Sequence, residues 1–150
     1  SLNCWGPARM SKRPRHVMVF DPGQTIGVAV LKRGGACVVT KSIETDGTRD
    51  WRQRLEQVFN AYAPSSELVI EQGPDFGRHN RGILSLVERE LTWLSERYGM
   101  PINWIRPADW KGHPAARPDA LDGNEPRTQH EKDTLGMGRV WCHLNKGEST

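Results

Sequence analysis

The spacing of apolar residues changes once along this chain, and that change restricts the fold more than any other feature. Up to residue 43 the apolar residues fall in short strand-type runs. Residues 16–21 carry Val17, Val19 and Phe20, and further runs occupy 25–31 and 36–43. Pro22-Gly23 separates the first two, and Gly34-Gly35 between the others is a hairpin signal. Three strands joined by tight turns make an antiparallel meander. From residue 49 the spacing becomes helical. Trp51, Leu55, Val58, Phe59 and Tyr62 predict an amphipathic helix over 49–63, ended by Pro64. "ELVIE", residues 67–71, is a short apolar strand of the kind covered on both faces. A second helix is expected over 82–98, stopped by Gly99, and "INWI" at 102–105 gives a fifth strand. A Pro- and Gly-rich loop follows, with one helical turn at 108–111. A last helix is expected over 128–144, weakened by Gly136 and Gly138.

The order is therefore βββαβαβα. It predicts an α/β fold, a mixed five-stranded sheet with helices on both faces. A length of 150 residues suits one domain, set at 16–150 behind a flexible basic arm at 1–15. The formal charge is +3, but the arm holds Arg9, Lys12, Arg13 and Arg15 and no acid, which leaves the remainder at −1. Total charge is thus weak ground for nucleic-acid binding by the folded body. No apolar run is long enough to span a bilayer, and Cys4, Cys37 and Cys142 have no metal-type spacing. A cytoplasmic protein with free thiols and no membrane contact is expected.

Asp21 ends the first strand and Glu71 ends the fourth, the next strand whose connection needs a helix. In such sheets ligands sit beyond the carboxyl ends of parallel strands, where strand order reverses. Parallel neighbours lie about 4.8 Å apart. Two carboxylates set at that spacing share a proton or hold a cation. His130 and Asp133 are three apart on the last helix and share a face. If that helix packs over the same sheet end, the cluster is Asp21, Glu71, His130 and Asp133. Its oxygen-rich donors favour Mg²⁺, with Mn²⁺ also compatible. Two such ions about 3.5–4 Å apart activate a water and stabilise the leaving oxygen of a phosphodiester. Each residue has a plainer reading: Asp before Pro-Gly as a turn former, His130 and Asp133 as a solvated helix face.

"FDPGQTIGVAV", "LVIEQ", "RPADWKG" and "HEKD" resemble the RuvC family of Holliday-junction resolvases over about residues 16–144. The resemblance implies a ribonuclease H-like fold. It makes Asp21, Glu71, His130 and Asp133 the catalytic metal ligands, with Lys111 near the scissile phosphate. It also implies a homodimer that nicks four-way DNA junctions in symmetric pairs, leaving 5′-phosphates. The DNA-facing residues would be Gln72, Phe76, Arg78, His79, Asn80, Arg81, Lys111 and Arg117, with Phe76 as a wedge between bases or a packing residue. Trp93 and Leu86 widen the apolar face of the 82–98 helix and mark it for the dimer. The chain departs from the family pattern in a shorter Pro-Gly to Gly27 spacing, in Thr134 where Ala is usual, and in its single loop lysine. "TIGVAV" also looks like YqgF-type ribonucleases, which usually lack an acid at Glu71. A non-catalytic nucleic-acid-binding module on the same fold is the other alternative.

Overall fold

Alternation along β1 (His16–Asp21) decides how the molecule is layered. Val17 and Val19 point to one face of the sheet, Met18 and Phe20 to the other, and all four are buried. A strand buried on both faces must be central, and it is. In this computed structural model, which describes residues 15–47, 50–73, 81–116 and 128–145, the strand order is β3-β2-β1-β4-β5. β2 (Thr25–Lys32) runs antiparallel to β1, and β3 (Cys37–Glu44) antiparallel to β2. β4 (Ser66–Glu71) and β5 (Ile102–Ile105) continue the sheet in parallel beyond β1. The expected mixed sheet is present, with strand ends within a residue of expectation.

Parallel pairing of β1 with β4, and of β4 with β5, requires the chain to cross the sheet between them. Helices α1 (Trp51–Tyr62) and α2 (Ile83–Arg97) make those crossings. Both bury their apolar stripes on the Met18–Phe20 face, where Phe20 stacks on Phe59 with ring centroids 5.4 Å apart. Pro64 does not stop the chain abruptly. α1 ends at Tyr62 and a single 3-10 turn, Ala63–Ser65, carries the proline. The opposite face is covered by the short helix α3 (Pro107–Trp110) and by α4 (Gln129–Asn145). Gly138 does not weaken α4; it lets the helix approach the sheet. A Cβ there would stand 2.6 Å from Leu31 Cδ1 and 3.0 Å from Val19 Cγ2. Helices therefore cover both faces, as the sequence pattern implied.

No helix among the described residues is long and apolar enough to cross a membrane. Cys37 and Cys142 are buried and in no disulfide, and burial pushes the Cys142 thiol up to about 11. Residues 1–14, where the basic arm was expected, lie outside the described residues.

Candidate active site

The β1–β4 register pairs Phe20 with Ile70, so Asp21 and Glu71 come next on adjacent parallel strands. Strand alternation puts both on the α4 face, since Val19 and Val69 before them lie in that core. The Glu71 carboxyl lies within hydrogen-bonding reach of Asp21 and acts on it both by charge and by hydrogen bonding. A hydrogen bond between them needs a proton on one of the two, because two ionised carboxylates offer only acceptors. Burial chiefly, then the Glu71 charge, the Glu71 hydrogen bond and the Asp133 charge, push Asp21 up to about 7, with Lys111 pulling the other way. Asp21, Glu71, Asp133 and Lys111 thus converge electrostatically at the carboxyl end of the parallel strands.

Glu71 is buried and has a second partner. The Trp110 indole N–H donates to Glu71 Oε2 at 2.5 Å. Trp110 closes α3, a single turn started by Pro107 and held by the Arg106 N–H donating to Asp109 Oδ2 at 2.9 Å. The exposed Lys111 follows, its Nζ 5.8 Å from the centroid of the Trp110 ring.

Asp133 reaches the pair because α4 starts directly above β2. Gly27 faces Asp21 in the β1–β2 register, and a Cβ on it would lie 2.1 Å from Thr134 Oγ1 and 2.8 Å from the His130 carbonyl. Only glycine leaves room for that turn of helix. Thr134 turns its hydroxyl inward, donating to the His130 carbonyl at 2.6 Å. Sequence reasoning passed over Glu131. Its buried carboxylate accepts from Thr40 Oγ1 at 3.0 Å and from Ser42 Oγ at 2.8 Å, tying the helix start to β3. Thr128 caps the same turn, its Oγ1 accepting from the Glu131 N–H at 3.1 Å. The spacing Thr128-x-x-Glu131 is a capping-box signature that marked this turn in advance. Asp133 is half-buried and accepts from Gln129 Nε2 at 2.7 Å, whereas His130, three residues before it, is exposed to solvent.

No family model matches the chain, and no curated protein matches it by sequence. Its fold, in contrast, is similar to solved structures. T. thermophilus RuvC in complex with Holliday junction substrate superposes with a TM-score of 0.66 at 15% identity, covering 89% of this chain and 96% of that one. A second Thermus thermophilus RuvC structure gives 0.65 at 14% identity, covering 88% and 96%. The chain has the RuvC fold. At this identity the likeness concerns architecture, and the chemistry of the RuvC-like sheet here rests on its own residues.

Those residues suit a hard divalent cation. The converging donors are carboxylate oxygens, and one of them holds a proton near neutrality, in a place where a cation would relieve the same repulsion. Among the described residues, no three His, Cys, Asp or Glu side chains form a ready-made metal cage. On the outer side of this RuvC-like end, Gln72 is half-buried, its N–H donating to the Ile105 carbonyl at 2.8 Å. Arg81 is ion-paired with Glu88, with side chains only 12% and 11% exposed. Burial of Glu88 on α2 draws the guanidinium inward, since an unpaired buried carboxylate is costly. Phe76, Arg78, His79, Asn80 and Arg117 lie outside the described residues. On α2, Trp93 and Leu86 remain 50% and 39% exposed, as the widened apolar face implied.

Proposed function

We propose that this chain is a divalent-cation-dependent endonuclease acting on branched DNA, four-way junctions foremost, as a homodimer. The observation that carries the reading is the Asp21–Glu71 carboxyl pair, forced together by parallel strand register and kept partly protonated near neutral pH. Such a pair is costly to bury without a cation and has no structural task that one carboxylate would not perform. Asp21, Glu71 and Asp133 would hold Mg²⁺ or Mn²⁺, with His130 presented from the same face of α4. Bound in a pair, such ions activate a water and stabilise the leaving oxygen. Asp21 would ligate a cation in its ionised form, having lost the proton that burial and Glu71 favour. Glu71 stays oriented by the Trp110 N–H. Lys111, exposed after α3 beside the Trp110 ring, offers its ammonium to the scissile phosphate and offsets developing charge.

Gln72, Arg78, Asn80 and Arg117 are assigned to the DNA backbone and Phe76 to a wedge between bases. Arg81 is kept for Glu88. The similar RuvC solved with a Holliday junction substrate supports branched DNA as the substrate class. Paired nicking needs two sites, and the exposed Trp93 and Leu86 supply an apolar face for a second copy. The test is incubation with Mg²⁺ and labelled four-way junction, duplex, flap and RNA side by side. Symmetric nicking of the junction in preference to the others is expected. Cleavage of RNA alone would move the protein to the ribonuclease reading.

A further inference from the structure

The strongest unassigned feature is the side chain that touches both ends of the site. Trp110 is buried, its indole N–H is given to Glu71 Oε2 at 2.5 Å, and its ring lies under the Lys111 ammonium at 5.8 Å. Glu71 and Trp110 are 39 residues apart, on β4 and α3, so the bond is a tertiary tie and not a local habit of the chain. A buried indole N–H needs an acceptor. Here the acceptor is one oxygen of a carboxylate whose partner on the other strand is Asp21. With one oxygen of Glu71 held, the carboxylate plane cannot rotate freely, and its remaining acceptor capacity is directed toward Asp21.

We propose that Trp110 is a positioning residue for the carboxylate cluster. Its N–H orients Glu71 for a divalent cation, and its ring places the Lys111 ammonium over the same sheet end. This deepens the nuclease reading and rests on it. Side chains that hydrogen-bond a ligating group are worth about 10–100-fold in cation affinity, because they fix the ligand's direction before the ion arrives. An ammonium seated on an aromatic face is likewise pre-positioned, since the ring quadrupole draws the charge toward it. One residue therefore links the acidic and basic halves of the site. Neither half requires contact of Trp110 with substrate.

The test is Mn²⁺ binding, read from the spin-resonance signal of the free ion, with no DNA present. Trp110→Phe keeps a packed ring and removes the N–H. It should weaken Mn²⁺ binding about 10–100-fold. Trp51→Phe, in the core on the opposite face, is the control for general loosening and should leave binding unchanged. Equal affinities of wild type and Trp110→Phe would overturn the proposal. Wild type that binds no Mn²⁺ would overturn the nuclease reading and this proposal with it. Should Trp110→Phe fail to fold, a variant that keeps Trp110 still decides the contact. The Trp110 indole ¹⁵N–¹H resonance, assigned by sequence-specific labelling, should shift markedly in Glu71→Gln while that of Trp51 stays in place. A stationary Trp110 resonance would refute the tie to Glu71 independently of any cation.

Discussion

Asp21→Asn should stabilise the metal-free protein, and the gain should depend on pH. In the folded state Asp21 is raised from 3.8 to about 7 by burial first and by Glu71 and Asp133 next. A raised carboxyl favours the folded state while protonated. Below about pH 4 the group is protonated folded and unfolded, so it imposes no penalty. Between the two values the unfolded chain loses the proton and the folded chain keeps it, so stability falls as pH rises. Above about 7 the loss is complete. Roughly three pH units at about 1.4 kcal/mol each give a penalty on the order of 4 kcal/mol. Asparagine has no charge at any pH and keeps a donor for Glu71. The two proteins should therefore match near pH 4 and separate steadily toward pH 8. For a chain of this length the separation there amounts to about 10 °C in Tm. The assay is thermal or urea unfolding in EDTA at several pH values, on both proteins, so that titrating groups remote from Asp21 cancel in the difference. An Asp21→Asn protein no more stable than wild type at pH 8, or a difference that does not change with pH, would refute the strained-pair argument.

Other outcomes follow from the same geometry. Glu131→Ala removes the bonds from Thr40 and Ser42 and should cost about 2–3 kcal/mol in urea unfolding, more than a surface acid would. Gly27→Ala puts a Cβ 2.8 Å from the His130 carbonyl and should cost about 1–3 kcal/mol. Adding Thr134→Ala removes the 2.1 Å hydroxyl contact but not the carbonyl one, so only partial recovery of stability is expected. Trp93→Glu should convert a sedimenting dimer to monomer without changing the Tm of the monomer fold, because Trp93 is half exposed; an unchanged dimer mass would remove α2 from the interface.

Most of the fold was legible because period carries layer. β1 and β4 are buried on both faces and read as unbroken apolar runs, and α1 and α2 show one stripe each. The Asp21–Glu71 meeting was legible too, because parallel neighbours reached by a helical crossover leave little choice of register. Contacts made across long separations were not. Glu131 stands between His130 and Lys132 in a charged stretch and reads as solvated; the hydroxyls of Thr40 and Ser42, about 90 positions earlier, help make it a buried anchor. Trp110 drew no reading of its own, because its partner Glu71 lies 39 positions earlier on β4. Gly138 read as a flaw in α4, since propensity registers the missing side chain and not the Leu31 and Val19 atoms that fill its place. The ion pair of Arg81 was not legible, because its acid, Glu88, sits on a helix whose pattern does not reveal that it is buried.

The central claim is that Asp21 and its partners hold the cation that cuts DNA. It is tested most directly by nicking of a labelled four-way junction, with Mg²⁺ and with EDTA, by wild type and by Asp21→Asn. The account predicts paired nicks by wild type in Mg²⁺ and none in EDTA. Asp21→Asn should bind the junction as tightly as wild type and leave it uncut. Nicking by Asp21→Asn at the wild-type rate, or cutting by wild type in EDTA, would contradict the account.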